Sequence, residues 1–155
     1  MERQRALELA FRAVAARERT EHELRGFLDR RGIDAEVIDD VVRALADERL
    51  LDDAGYARRF VEDRRLLDQW GSERIARDLA RRGVERELIE QALASHDSAD
   101  ELAAAIEVLD RRFPLPFGDD RERDKAWRML VRRGYEPELA YAAVREHERG
   151  VRDAA

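Results

Sequence analysis

The sequence predicts an all-α protein made of three tandem three-helix repeats, and two observations carry that reading. A short phrase occurs three times, as Leu28-Asp29-Arg30-Arg31-Gly32, Leu79-Ala80-Arg81-Arg82-Gly83 and Leu130-Val131-Arg132-Arg133-Gly134, with its glycines 51 residues apart both times. A fixed period of roughly 20 to 50 residues marks stacked supersecondary units. Leu, Ile and Val also fall at three- and four-residue steps along the chain, and no run alternates with the period of two that a strand needs. The phrase itself reads as a helix ending. Its Leu is the last buried position, its arginines sit where the helix dipole favours cations, and its Gly takes the left-handed conformation that closes the helix.

Each element follows from local signals. Ala6, Leu7, Ala10, Phe11 and Val14 give the first helix one apolar face. Thr20 with Glu23 forms a capping box that opens the second helix, which carries Leu24, Phe27 and Leu28 and stops at Gly32. Asp34 is placed to cap the third, whose apolar face is Val37, Ile38, Val41, Val42 and Leu45. In repeat two, Asp52 or Asp53 caps a helix running through Tyr56, Ala57, Phe60, Val61 and Leu67, and Trp70-Gly71-Ser72 breaks it. Ile75, Ala76 and Leu79 form the next stripe, and Leu88, Ile89, Ala92 and Leu93 the one after.

Repeat three opens with a second expected capping box, Ser98 with Glu101, on a helix with Leu102, Ile106 and Leu109. Phe113-Pro114-Leu115-Pro116-Phe117-Gly118 reads as an elbow, because proline cannot continue a helix. Trp127 and Leu130 lead to Gly134, and Pro137 stands where a first helical residue belongs. Gly150 and the small residues after it suggest a frayed end. The repeats are expected at 1–50, 51–97 and 98–155, with the elbow at 113–118.

Composition excludes several function classes. Charged residues make up 43% of the chain, so its outside must be densely charged helix. No apolar run approaches the length of a membrane span, and no signal peptide is seen. Cysteine is absent, which removes thiolate chemistry and fits a cytoplasmic protein. His22, His96 and His147 are isolated and read as surface helix residues; the few serines have helix-terminus explanations; the glycines form no phosphate loop. No metal, no cofactor and no enzymatic activity are therefore expected.

The informative pattern is the sorting of charge by helix. Residues 71–83 carry four arginines against two acids, and 122–134 five basic residues against two acids. The third helices are opposite, with six acids against Arg43 over 34–48 and four against Arg86 over 85–97. All basic residues but Lys125 are arginine, whose planar fork suits carboxylate and phosphate partners. A helix-turn-helix reading is disfavoured, because the helix that would enter the major groove is the acidic one.

Leu50-Leu51-Asp52-Asp53, Tyr56-Ala57, Phe60-Val61, Arg64, Trp70-Gly71, Arg74-Ile75, Leu79 and Arg82-Gly83-Val84 together resemble the central signature of the RecX family of regulatory proteins. The resemblance covers residues 4 to 149. It departs at Trp70-Gly71-Ser72, where the family often has proline and an aromatic-glycine pair. It implies an elongated, curved, solenoid-like protein that lodges in the groove of the RecA recombinase filament, damps its ATPase and strand exchange, and so modulates recombination and the SOS response. A monomer is expected, with RecA as partner, single-stranded or duplex DNA within the filament as a further contact, and no membrane. Tyr56, Phe60, Ile75 and Leu79 match signature positions but lie on apolar faces, which favours core packing. The candidate contacts to RecA or DNA phosphate are the arginines expected to point away from those faces: Arg58, Arg59, Arg65, Arg74, Arg77 and Arg81 in the middle repeat, and Arg123, Arg128 and Arg132 in the third. Arg82 is expected either to cap carbonyls or to join them. The competing readings are a helical-repeat nucleic-acid binder that acts without RecA, and a helical scaffold whose charge only confers solubility.

Overall fold

Every repeat phrase ends its helix in the same way. The three glycines take φ of +76°, +86° and +100° at Gly32, Gly83 and Gly134. The N–H groups of Ile33, Val84 and Tyr135 then donate back to the carbonyls of Leu28, Leu79 and Leu130 at 3.2, 3.1 and 3.1 Å. This is the Schellman closure, in which the turn satisfies carbonyls the helix would otherwise leave open. The computed structural model describes residues 1–154, and among them it has nine helices and no strand. The helices are α1 (Glu2–Ala16), α2 (Glu21–Asp29), α3 (Ala35–Asp47), α4 (Asp53–Leu67), α5 (Ser72–Arg81), α6 (Arg86–Leu93), α7 (Ser98–Arg112), α8 (Asp120–Arg132) and α9 (Pro137–Ala154).

Most of the expected starts are present. The Thr20 side chain accepts from Glu23 N–H while the Glu23 carboxylate accepts from Thr20 N–H, each at 3.1 Å. Pro137 is the first residue of α9. Asp34 precedes α3, but its side chain makes no cap bond.

Four local expectations are corrected. The cap of α7 is Asp97, which accepts from Asp100 N–H at 2.9 Å, and not Ser98. An ionised carboxylate at the positive end of a helix is favoured over a hydroxyl. Gly150 lies inside α9, which continues to Ala154. Phe11 is 43% exposed, because the buried stripe of α1 is Ala6, Ala10 and Ala13. His147 is buried on α9, where it follows Ala140, Ala143 and Val144 at helical spacing.

Packing divides the chain into two units: Met1–Arg59 with Asp78–Ala92, and Phe60–Arg77 with Leu93 onward. The divisions fall within α4, within α5 and before the last residue of α6. In the first unit α1, α2 and α3 enclose Leu24, Leu28, Val41, Val42 and Leu45. There the turn that ends α5 meets the start of α2: Thr20 Oγ1 donates to the Arg82 carbonyl at 2.6 Å, and Gly83 lies against His22. Asp53, at the start of α4, accepts from Glu21 N–H at 3.0 Å.

The second unit repeats this arrangement one period later. Its core is Leu109, Leu130, Tyr135, Ala140 and Val144, from α7, α8, α9 and the turn before α9. The turn ending α8 meets the start of α5, where Gly71 N–H donates to the Arg133 carbonyl at 2.8 Å and Glu73 N–H to the Gly134 carbonyl at 3.0 Å. Gly134 lies against Arg74, and Gly71 against Gly134 and Tyr135. Each later phrase therefore docks on the second helix of the repeat before it. Gly32 has no such neighbour, and a side chain there would meet nothing within 4 Å.

Alanine at Gly83 or Gly134 combines left-handed strain of about 1–2 kcal/mol with a clash of about 1–3 kcal/mol. Gly32→Ala carries the strain alone. Urea unfolding of the three variants is expected to show Gly32→Ala as clearly the mildest.

Candidate partner-binding surface

The arginines expected to project from the repeats fall into three groups once their surroundings are known. Arg58, Arg77 and Arg132 are exposed, and their side chains have no ion pair among the described residues. Arg59 and Arg128 pair on the surface with Glu18 and Asp124, Arg123 pairs with half-buried Glu148, and exposed Arg81 reaches the buried carboxylate of Asp78. Exposed pairs such as the first two contribute about 0–1 kcal/mol each. Such pairs open readily for a partner. The hydrogen bonds that Arg123 donates to Glu148 raise the Arg123 pKa and hold the Glu148 carboxyl below its ordinary value.

Arg65, Arg74 and Arg82 are turned inward. Arg65 donates to the Ser95 and Ser72 hydroxyls at 3.1 and 3.2 Å and to the Leu93 carbonyl at 3.3 Å. Burial lowers its pKa. The expectation that Arg65 points away from the apolar face is thus corrected: it lies four residues after buried Val61, and its fork ties α4 to the end of α6. Arg82 donates to the Tyr56 hydroxyl at 2.7 Å and to Asp78 at 3.3 Å. The Arg74 guanidinium lies over the Trp70 ring, 3.9 Å from its centroid, a cation–π contact, and donates to the Arg132 carbonyl at 3.5 Å.

Two candidates of the second unit do not stand alone. Arg74 and Arg132 share a cavity of about 450 Å³ with Trp70, Arg133, Asp68 and Met129. Arg133 is bonded to the Asp68 carbonyl at 2.7 Å. The guanidinium groups of Arg74 and, at 5.7 Å, of Arg64 both approach the Trp70 ring. Neither Trp70 nor Arg133 carries a binding signature in the sequence, since one sits in a turn and the other in a helix-ending phrase. Their clustering depends on the docking of the Gly134 turn.

Glu101, expected as a helix cap at its own start, accepts from Ser72 N–H at 2.7 Å and from Ser72 Oγ at 2.5 Å, and so caps α5. Beside it the Tyr135 hydroxyl donates to the Gln69 carbonyl at 3.0 Å. Among the described residues no group of His, Asp and Glu is placed to hold a metal ion, and no helix is long and apolar enough to cross a membrane.

Three family models match the chain: the first three-helix domain of RecX over residues 6–45, the second over 52–93 and the third over 99–144. A regulatory protein RecX of Halorhodospira halophila is 39% identical over 146 residues, which span 91% of this chain and 89% of that protein. One from Deinococcus radiodurans is 36% identical over 145 residues, spanning 94% of this chain and 69% of the relative. Among solved structures, RecX from Lactobacillus salivarius superposes with a TM-score of 0.82 at 19% identity, covering 95% of this chain and 97% of that one. A second crystal structure, of a regulatory protein RecX, gives 0.78 at 21% identity, covering 94% and 72%. At those identities the two structures speak for the fold.

Burial, and after it the charge of Glu101, pushes the Tyr135 hydroxyl up to about 12. The folded protein holds this proton more tightly than the unfolded chain, whose tyrosine titrates at about 10. The associated stability is complete below pH 10 and is lost as pH rises from about 10 to 12. Ultraviolet titration is expected to show one tyrosine ionising late, and Tyr135→Phe to abolish that late step.

Proposed function

The chain belongs to the RecX family of regulatory proteins, and on that premise we propose that it binds the RecA recombinase filament and slows its ATP hydrolysis and strand exchange. It acts in the cytoplasm, without catalysis of its own, and so tunes recombination and the SOS response. The observation that supports a binding surface is the exposure of Arg58, Arg77 and Arg132 without ion pairs, since they have no internal contact to lose. Arg59, Arg123 and Arg128 form a second tier that exchanges an internal carboxylate for one on the partner, and Arg81 is anchored by buried Asp78. Arg65 and Arg82 serve the scaffold that holds them.

A second reading is favoured by the cavity around Trp70, Arg74 and Arg132. A guanidinium stacked on an aromatic ring beside further arginines suits a phosphate backbone or an unstacked base. Under that reading the chain contacts DNA at this place, within the filament or independently of RecA.

Titration of the protein into RecA filaments on single-stranded DNA is expected to slow ATP hydrolysis at substoichiometric amounts; unchanged hydrolysis over a wide range would sink the reading. The triple variant Arg58→Glu, Arg77→Glu, Arg132→Glu is expected to lose this effect while its urea midpoint stays near that of the parent. Arg65→Ala is expected to lower the midpoint instead. Binding to naked DNA that falls steeply with salt would favour the second reading, because phosphate contacts release counterions.

A further inference from the structure

Away from the arginine surfaces, the second unit holds a cavity of about 540 Å³ whose apolar walls are Ile106, Pro114, Leu115, Pro116 and Val151. Its polar lining is Asp110, Glu146 and His147, with no lysine or arginine. His147 is only 2% exposed, and its Nδ1 lies 2.7 Å from Asp110 Oδ1. The Phe117 ring covers it at a centroid distance of 5.5 Å. Nε2 is buried and has no hydrogen-bond partner.

The chemistry of this arrangement is specific. The contact between Nδ1 and the Asp110 carboxylate fixes the ring, with Nδ1–H as the donor and the carboxylate as the acceptor. Buried polar atoms are almost always paired, and this Nε2 is shielded from solvent, so the group that meets the cavity opening is the Asp110 carboxylate bonded to its ring. Asp110 is largely exposed, and Glu146 is held by Arg149 at 3.0 Å, which leaves Asp110 as the uncompensated charge at the mouth. An open apolar groove with the Asp110 carboxylate at its edge and no basic residue in its lining complements an aliphatic stem ending in a cationic donor.

We propose that this cavity receives a lysine or arginine side chain from a basic segment of a protein partner. Leu115, 75% exposed, extends the apolar surface past the mouth and gives the residues flanking that side chain a contact that a free polyamine cannot use. The inference stands on this cavity alone and does not depend on the arginine surfaces.

The test is a titration of the full chain, with ¹⁵N-labelled histidine, by a blocked tetrapeptide of alternating leucine and arginine, read at the His147 ring nitrogens. The expected result is a saturable shift of Nδ1, weakened about tenfold by Asp110→Asn. A smaller weakening is expected for Glu146→Gln, an exposed change that keeps the fold. The proposal is overturned if His147 does not respond, if the same peptide with glutamate for arginine works equally well, or if neither substitution matters. It is overturned in favour of a small polycation if spermidine gives the same response at the same concentration. It is overturned in favour of self-association if the shift grows with protein concentration without peptide.

Discussion

The interaction on which the fold depends is the backbone contact between a glycine turn and the start of the preceding repeat's second helix. In the second unit two peptide N–H groups of Gly71 and Glu73 donate to carbonyls of the Arg133-Gly134 turn. In the first unit a hydroxyl, that of Thr20, donates to the matching carbonyl of Arg82. The N–H donors of the second unit belong to the start of a helix, where N–H groups have no partner within the helix, and the acceptors to a last turn, where carbonyls have none. One contact therefore answers two deficits at once. It needs main chain to approach main chain, which glycine alone permits, and so the period of the sequence and the packing of the repeats have a single cause.

Arginine has a structural use in this architecture. Helix ends present carbonyls, and a fork of N–H donors reaches several of them from one side chain. Arg65 gathers two serine hydroxyls and a carbonyl, Arg133 holds the Asp68 carbonyl, and Arg82 spans a carboxylate and a phenol. Part of the arginine bias that suggested a binding surface is thus spent on joining helices. What remains available to a partner is the smaller set that ends in solvent.

The sequence revealed those features whose physical cause is local. Capping at Thr20, the glycine turns and the start at Pro137 involve residues within one or two turns of each other, and all three are present. Features that depend on distant partners were hidden. Glu101 looks like a first-turn cap for its own helix, but its partner Ser72 lies 29 residues earlier. His147 reads as a surface residue until its spacing from Ala140, Ala143 and Val144 is set beside Asp110, 37 residues away. That spacing was the one available clue, since position alone placed an imidazole on the apolar stripe of α9. For Arg65 the comparable clue was its place one turn after Val61.

The openness around Gly32 separates two demands that coincide elsewhere. At Gly83 and Gly134 the residue must both take a positive φ and leave room for a neighbouring helix, so only a hydrogen atom suffices as side chain. At Gly32 the first demand stands alone, and asparagine, which tolerates the left-handed region, meets it. Over evolutionary time the first repeat is therefore the one free to drift at its glycine without unfastening the array, while the two later glycines are held by partners that belong to another repeat.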